Sequence, residues 1–246
     1  MPRRQHAVRL KASPTERERW LFTCEHGGLT VPPGYGHLFE DATEVLASHR
    51  GWDAGALVAC NMLAPSLADA TFTVTTTRLF IDTNRSLTHP RVFSEYTRGL
   101  PQPTRDAIVA NWWRPWRDAV AQQVAHWIAA GCFVRHLSIH SFTPELDGRP
   151  RNADIGLLYD PARVTERAFC VHWQSLLSAR GWQVRRNYPY RGTSDGHTAA
   201  LRRRFPVRYA GIELEINQAL LPGKTAALHE GLAATLAQLR CARHTT

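Results

Sequence analysis

Lysine is nearly missing from this chain. Only Lys11 and Lys224 occur, so arginine supplies almost all of its 30 basic side chains. Paired cysteines are missing too: Cys24, Cys60, Cys132, Cys170 and Cys241 are odd in number, far apart and form no Cys-x-x-Cys motif. Neither a disulfide framework nor a structural zinc ribbon is indicated, and reduced, mostly buried thiols are expected. No run of about 18 or more apolar residues occurs, and the polar, basic stretch from Met1 to Trp20 lacks the apolar core of a signal peptide. The expectation is a cytoplasmic protein with no membrane partner. No repeat, low-complexity tract or Pro/Gly/Ser-rich linker divides the chain. With 43% apolar residues it can bury one substantial core, so a single domain over 1–246 is expected, with 1–18 as a flexible basic N-terminus.

The formal charge of +9 raises the question of nucleic acid. The arginines are spread through Arg3-Arg4, Arg17, Arg19, Arg185-Arg186 and Arg202-Arg203-Arg204 rather than gathered in a tail. The guanidinium fork suits carboxylate as well as phosphate, so a small anion fits this surface as well as a polyanion does. No motif joins aromatic to basic residues, so nucleic acid is not the expected partner. The run Arg202 to Arg204 reads as a solvated helix face.

Short apolar or β-branched runs bounded by turn residues predict strands near 20–24, 71–78, 133–139, 154–159, 182–186 and 208–216. Helices are expected near 43–49, 53–67, 104–130, 164–179 and 224–241, the longest starting at a Thr104 cap and ending at Gly131. This alternation argues for an α/β fold with a largely parallel, covered sheet.

In such folds the chemistry gathers outside the carboxyl ends of the strands. There the sequence places Glu25-His26-Gly27-Gly28 after one strand, His140-Ser141-Phe142 after a second, and Glu213 and Glu215 on a third. Two histidines and a carboxylate on one rim suit a hydrolytic zinc site. Gly27 and Gly28 would let a ligand or metal approach the backbone, the alternatives being a turn histidine hydrogen-bonded to the main chain at His26 and a satisfied buried histidine at His140. Glu213 and Glu215 share one strand face, opposite Ile212, Leu214 and Ile216, and two carboxylates there need a cation, a metal or a substrate. Asp53 lies at a helix start, where capping alone would explain it. Arg78 to Ser86 places Asp82, Asn84 and Arg85 in a loop able to grip a carboxylate, or to form an internal Asp–Arg pair.

These residues carry a resemblance. The chain resembles the N-formylglutamate amidohydrolase family over roughly 20–220, through Cys-Glu-His-Gly-Gly at 24–28, Trp-Asp-Ala-Gly-Ala at 52–56, Arg-Leu-Phe-Ile-Asp-Thr-Asn-Arg-Ser at 78–86 and His-Ser-Phe-Thr-Pro at 140–144. Further blocks are Arg151 to Gly156, Asn187 to Gly192, Asp195-Gly196-His197 and Gly211 to Gln218. The resemblance implies a three-layer, zinc-carboxypeptidase-like fold, with a mostly parallel mixed sheet flanked by helices, and metal-dependent hydrolysis of an N-formyl or other N-acyl amino acid. It implies one Zn²⁺ on His26 and His140, with Asp53 or else Glu25 as third ligand, because Leu29 stands where an acid is usual. Glu215 becomes the general base, with Glu213 the alternative, and Arg78, Asn84, Arg85, Arg151, Arg191 and His197 the candidate substrate-binding residues. A noncatalytic carboxylate-binding or regulatory protein on the same fold is the alternative reading.

Overall fold

Apolar runs too short to be helices pair into a sheet, and the longer periodic segments between them become the helices that cover it. A computed structural model describes residues 17–221 and 223–241. In chain order these contain β1 (Glu18–Cys24), α1 (Thr43–Ala47), α2 (Ala56–Leu67), β2 (Ala70–Thr73), α3 (Gln102–Ile108), α4 (Arg114–Ala129), β3 (Phe133–Phe142), β4 (Glu145–Leu146), β5 (Arg149–Pro150), β6 (Ile155–Leu158), α5 (Val164–Ser178), β7 (Val184–Arg186), α6 (His197–Arg204), β8 (Tyr209–Asn217) and α7 (Thr225–Cys241).

Six strands form one sheet in the order β2-β1-β3-β8-β6-β7, while β4 and β5 make a small separate hairpin. Every pairing in the large sheet is parallel except β6 with β8, so the sheet is mixed but mostly parallel. Both faces are covered. Helices α2, α5 and α7 pack over Trp20, Phe22, Leu137, Ile139, Ile212, Leu214 and Ile216 on one face, and α4 and α6 cover Leu21, Val134 and Tyr209 on the other. The alternation of strand side chains thus separates a mainly apolar face, whose buried Arg135 pairs with Glu18, from one that begins apolar and turns polar toward the carboxyl ends. On the polar face the register sets Thr23 beside Ser138, Ser138 beside Glu213 and His140 beside Glu215.

The structure corrects several local expectations. Residues 1–16 of the expected basic N-terminus lie outside the described residues, and Glu18 already belongs to β1. The long helix starts at Gln102 rather than at a Thr104 cap, because Pro103 suits a first turn whose N–H groups have no helical acceptor. A π-helical turn, Val109–Trp113, joins α3 to α4. Strand β3 runs through His140 to Phe142 instead of stopping at Ile139. Helix α6 falls outside the five expected helices, and its Arg202 is buried, donating to Glu166 at 3.0 Å, while only Arg203 and Arg204 face solvent. Four of the five cysteines are buried and all are free, and no helix among the described residues is long and apolar enough to cross a membrane.

The stretch expected as a strand over 71–78 leaves the sheet after Thr73, and its backbone then pairs with the loop after β1, through Gly27 N to Val74 O and Thr30 N to Thr75 O, both 3.0 Å. The small residues Gly27 and Gly28 therefore admit the chain's own backbone rather than a ligand. A Cβ on Gly28 would stand 2.5 Å from the Thr75 carbonyl oxygen. Gly28→Ala is expected to cost about 1–3 kcal/mol, the usual range for overpacking. Denaturant unfolding measures this, and an unchanged midpoint would show that the loop absorbs a methyl group freely.

Candidate metal centre

Three segments converge at the carboxyl end of β1 and β3. His26 stands two residues past β1, and His140 lies on the polar face of β3. Asp53 comes from the loop before α2, which is strapped to both strands by Asp53 N to His26 O at 2.9 Å and Ser141 Oγ to Ala54 O at 2.7 Å. Gly55 takes the left-handed conformation, φ 79°, at the start of α2, and no side chain caps the helix. Asp53 is thus not a cap, and its carboxylate turns inward instead.

One ligand atom each from His26, Asp53 and His140 lie within 4.8 Å of one another, and all three residues are buried. The facing atoms are His140 Nδ1, 2.8 Å from Asp53 Oδ2, and His26 Nδ1, 3.4 Å from the same oxygen. Each imidazole is held from behind. His26 Nε2 meets Asp82 Oδ1 at 2.8 Å, and His140 Nε2 meets Ser138 Oγ at 2.9 Å. Arg78 donates to Asp53 Oδ1 at 3.1 Å and also touches His26 Nδ1. Two imidazole nitrogens and one carboxylate oxygen, oriented by outer partners, are a donor set that fits zinc.

The centre forms the floor of a cleft of about 880 Å³, whose walls include Arg78, Asn84, Arg85, Arg191, Glu213 and Glu215. Glu25, Arg151 and His197 are not among its walls. Glu25 lies behind His140, its Oε2 3.5 Å from Nε2. His197 is buried, with Nδ1 3.4 Å from Glu25 and its ring against Trp116. The Arg151 guanidinium lies 5.1 Å from the Tyr190 ring centre, so it backs a residue that does line the cleft. Arg85 donates to the Asp195 carbonyl at 2.6 Å and approaches Asp82 only to 3.8 Å, leaving a third of its side chain exposed. Asn84 accepts from His197 N at 2.7 Å, and Thr198 donates to Glu213.

Two groups escaped the sequence reading. Arg117 is buried and holds the Thr83 carbonyl at 2.9 Å, fixing the loop that carries Asn84 and Arg85. Its signal is an arginine on the stripe it shares with Val120, Ala121 and Val124 in α4, at helical spacing. Ser138 was findable too, since it lies two residues before His140 and so shares its strand face.

A family model for N-formylglutamate amidohydrolase matches residues 18–221. The chain belongs to that family. Among solved structures it resembles a gene product of Agrobacterium tumefaciens at 28% identity, with 92% of this chain and 94% of that one aligned and a TM-score of 0.74. It also shares its fold with an N-formylglutamate amidohydrolase from Ralstonia eutropha JMP134, at 18% identity, 91% and 93% coverage and a TM-score of 0.67. Among curated proteins none matches the chain.

Electrostatics in this member of the N-formylglutamate amidohydrolase family divide the acids into two kinds. Burial opposes ionisation of Asp53, yet Arg78 and His26 hold its carboxyl well below the usual range, and His26 does the same for Asp82. Burial likewise works against a charge on His140, but its hydrogen bond to Asp53 prevails and pushes it up to about 10. Glu215 behaves in the opposite way. Burial pushes it up to about 8, and its Oε2 meets no donor among the described residues. A buried carboxyl with one idle oxygen, facing a cleft beside three ligand atoms, is placed to handle a proton.

Proposed function

We propose that this protein is a zinc-dependent amidohydrolase that cleaves a small, anionic N-acyl amino acid, N-formylglutamate being the type substrate, into formate and the free amino acid. The observation that carries the reading is the convergence of His26, Asp53 and His140 beneath a cleft that also holds Glu215. His26 Nδ1, Asp53 Oδ2 and His140 Nδ1 would hold the ion. A zinc ion with three protein ligands supplies a water of pKa about 7 and polarises the scissile carbonyl.

The remaining work falls to side chains. Glu215 accepts the proton of the attacking water on its idle oxygen and returns it to the departing amine nitrogen as the C–N bond breaks. Arg85 grips the amino acid's carboxylate and fixes the scissile bond over the centre, with Arg78 and Arg191 adding positive charge to the same cleft. Arg117 and Asp195 hold the Arg85 segment still. Asp82 keeps the His26 ring oriented. The reading is tested by measuring metal content together with release of formate from N-formyl and of acetate from N-acetyl amino acids. About one zinc per chain and release of formate are expected. A zinc-loaded protein inert toward the whole panel would sink the proposal.

Arg85 separates substrate recognition from scaffolding. Arg85→Lys keeps the charge but loses the guanidinium fork, so kcat/KM for an N-formyl amino acid should fall by about 10-fold or more. The corresponding amide, which offers no carboxylate, should be poor with wild type and scarcely worse with the variant. Equal losses on acid and amide, with a lower melting temperature, would make Arg85 structural.

A further inference from the structure

Behind the candidate centre lies a chain of buried polar groups that the reaction does not use. Glu25, whose side chain is fully buried, collects Thr23 Oγ–H on Oε1 at 2.8 Å and Ser138 Oγ–H on Oε2 at 2.7 Å. Ser138 also lies 2.9 Å from His140 Nε2, and Thr23 lies 2.7 Å from His136 Nε2. His136 Nδ1 in turn meets the Tyr209 hydroxyl at 2.6 Å.

The direction of each bond can be worked out. An ionised carboxylate only accepts, and a hydroxyl has one proton to give. Glu25 has one hydroxyl on each of its oxygens, and His197 Nδ1 lies 3.4 Å from Oε1 as well. Both hydroxyls therefore spend their protons on Glu25. Ser138 must then accept from His140 Nε2–H, and Thr23 from His136 Nε2–H. Reversing Ser138 would strip a buried carboxylate of a donor, which costs about 1–3 kcal/mol or more. Tyr209, with its hydroxyl against the remaining nitrogen of His136, completes the sequence as a donor.

We infer that Glu25 is a positioning residue, which through Ser138 commits the proton of His140 to Nε2 and so presents a bare Nδ1 lone pair to the metal. Nδ1 faces Asp53 Oδ2 at 2.8 Å, so a metal ion that takes the place of the proton between them finds the Nδ1 lone pair free, because Ser138 already holds the other ring proton on Nε2. The inference rests on the zinc-site reading above. It gives Glu25 a role distinct from that of a ligand, because its carboxylate lies on the far side of the His140 ring from Asp53. Thr23 is the control, since it draws on the same carboxylate but leads away from the centre to His136.

The experiment compares zinc affinity, by chelator competition, in wild type, Glu25→Gln, Ser138→Ala and Thr23→Val, with ring-nitrogen NMR of the histidines. Ser138→Ala and Glu25→Gln should bind zinc about 10–100-fold more weakly, and Thr23→Val should stay within about twofold of wild type. In zinc-loaded wild type the His140 proton should sit on Nε2, and in metal-free wild type the His136 proton should do the same. Should Glu25→Gln fail to fold, Ser138→Ala still decides. Undiminished affinity in Ser138→Ala, an equal loss in Thr23→Val that tracks the melting temperature, or a His136 proton on Nδ1 would overturn the inference. A wild type that binds no zinc would instead defeat the proposed function, and the His136 tautomer would then decide for Glu25 alone.

Discussion

Glutamine in place of Glu215 is expected to lower kcat by about 10²–10⁴-fold while zinc stays bound, because the variant loses the proton acceptor and no ligand. Steady-state kinetics and metal analysis of one preparation check both halves. If Glu213→Gln gives the larger loss, the two acids exchange roles, and if zinc leaves with Glu215 the residue is a ligand. A separate signature needs no substrate. The folded-state pKa of Glu215 lies above its ordinary value of 4.5, at about 8, because burial penalises the charge. Its contribution to stability is thus complete below pH 4.5 and is lost as the pH rises through about 8. Metal-free Glu215→Gln should therefore gain in melting temperature relative to wild type between pH 5 and 9. A constant difference across that range would show that Glu215 is not buried as described.

Asp53→Ala should cost more zinc affinity than the roughly 10–100-fold that outer residues command, because it removes the carboxylate oxygen that both His26 and His140 face. His140→Ala should do the same. Both variants should remain folded, since the large apolar cluster packs against the opposite face of the sheet. Circular dichroism together with metal analysis makes the comparison. Full zinc occupancy in Asp53→Ala would remove it from the centre.

Much of this arrangement was legible in the sequence, because strand alternation and the position of strand ends are local properties. Period two alone put Glu213 and Glu215 on one face, and the structure keeps Ile212, Leu214 and Ile216 in the apolar cluster on the other. What escaped was contact between segments. The Gly27-Gly28 pair looked like room for a ligand, but its use depends on where Val74 and Thr75 travel after leaving the sheet, which no local pattern records. Arg202 read as solvent-facing because its neighbours are charged, while its partner Glu166 stands 36 residues away on another helix. Asp53 was ambiguous for the same reason: an acid before a helix is a cap unless something else claims it, and Arg78 and His140 do.

The order of the strands has a consequence in time. His26, Asp53 and His140 are all translated before β8, which brings Glu215 some 75 residues later. At ribosomal rates of about 5–20 residues per second, the candidate ligands wait roughly 4–15 s for the strand that carries the candidate base. During that interval one edge of β3 has no neighbour, and the apolar row of Leu137 and Ile139 lacks the side chains of β8 that later pack beside it. The nascent chain thus holds all three candidate ligands before the candidate base arrives, and until β8 docks it carries an unpaired strand edge of the kind that invites association.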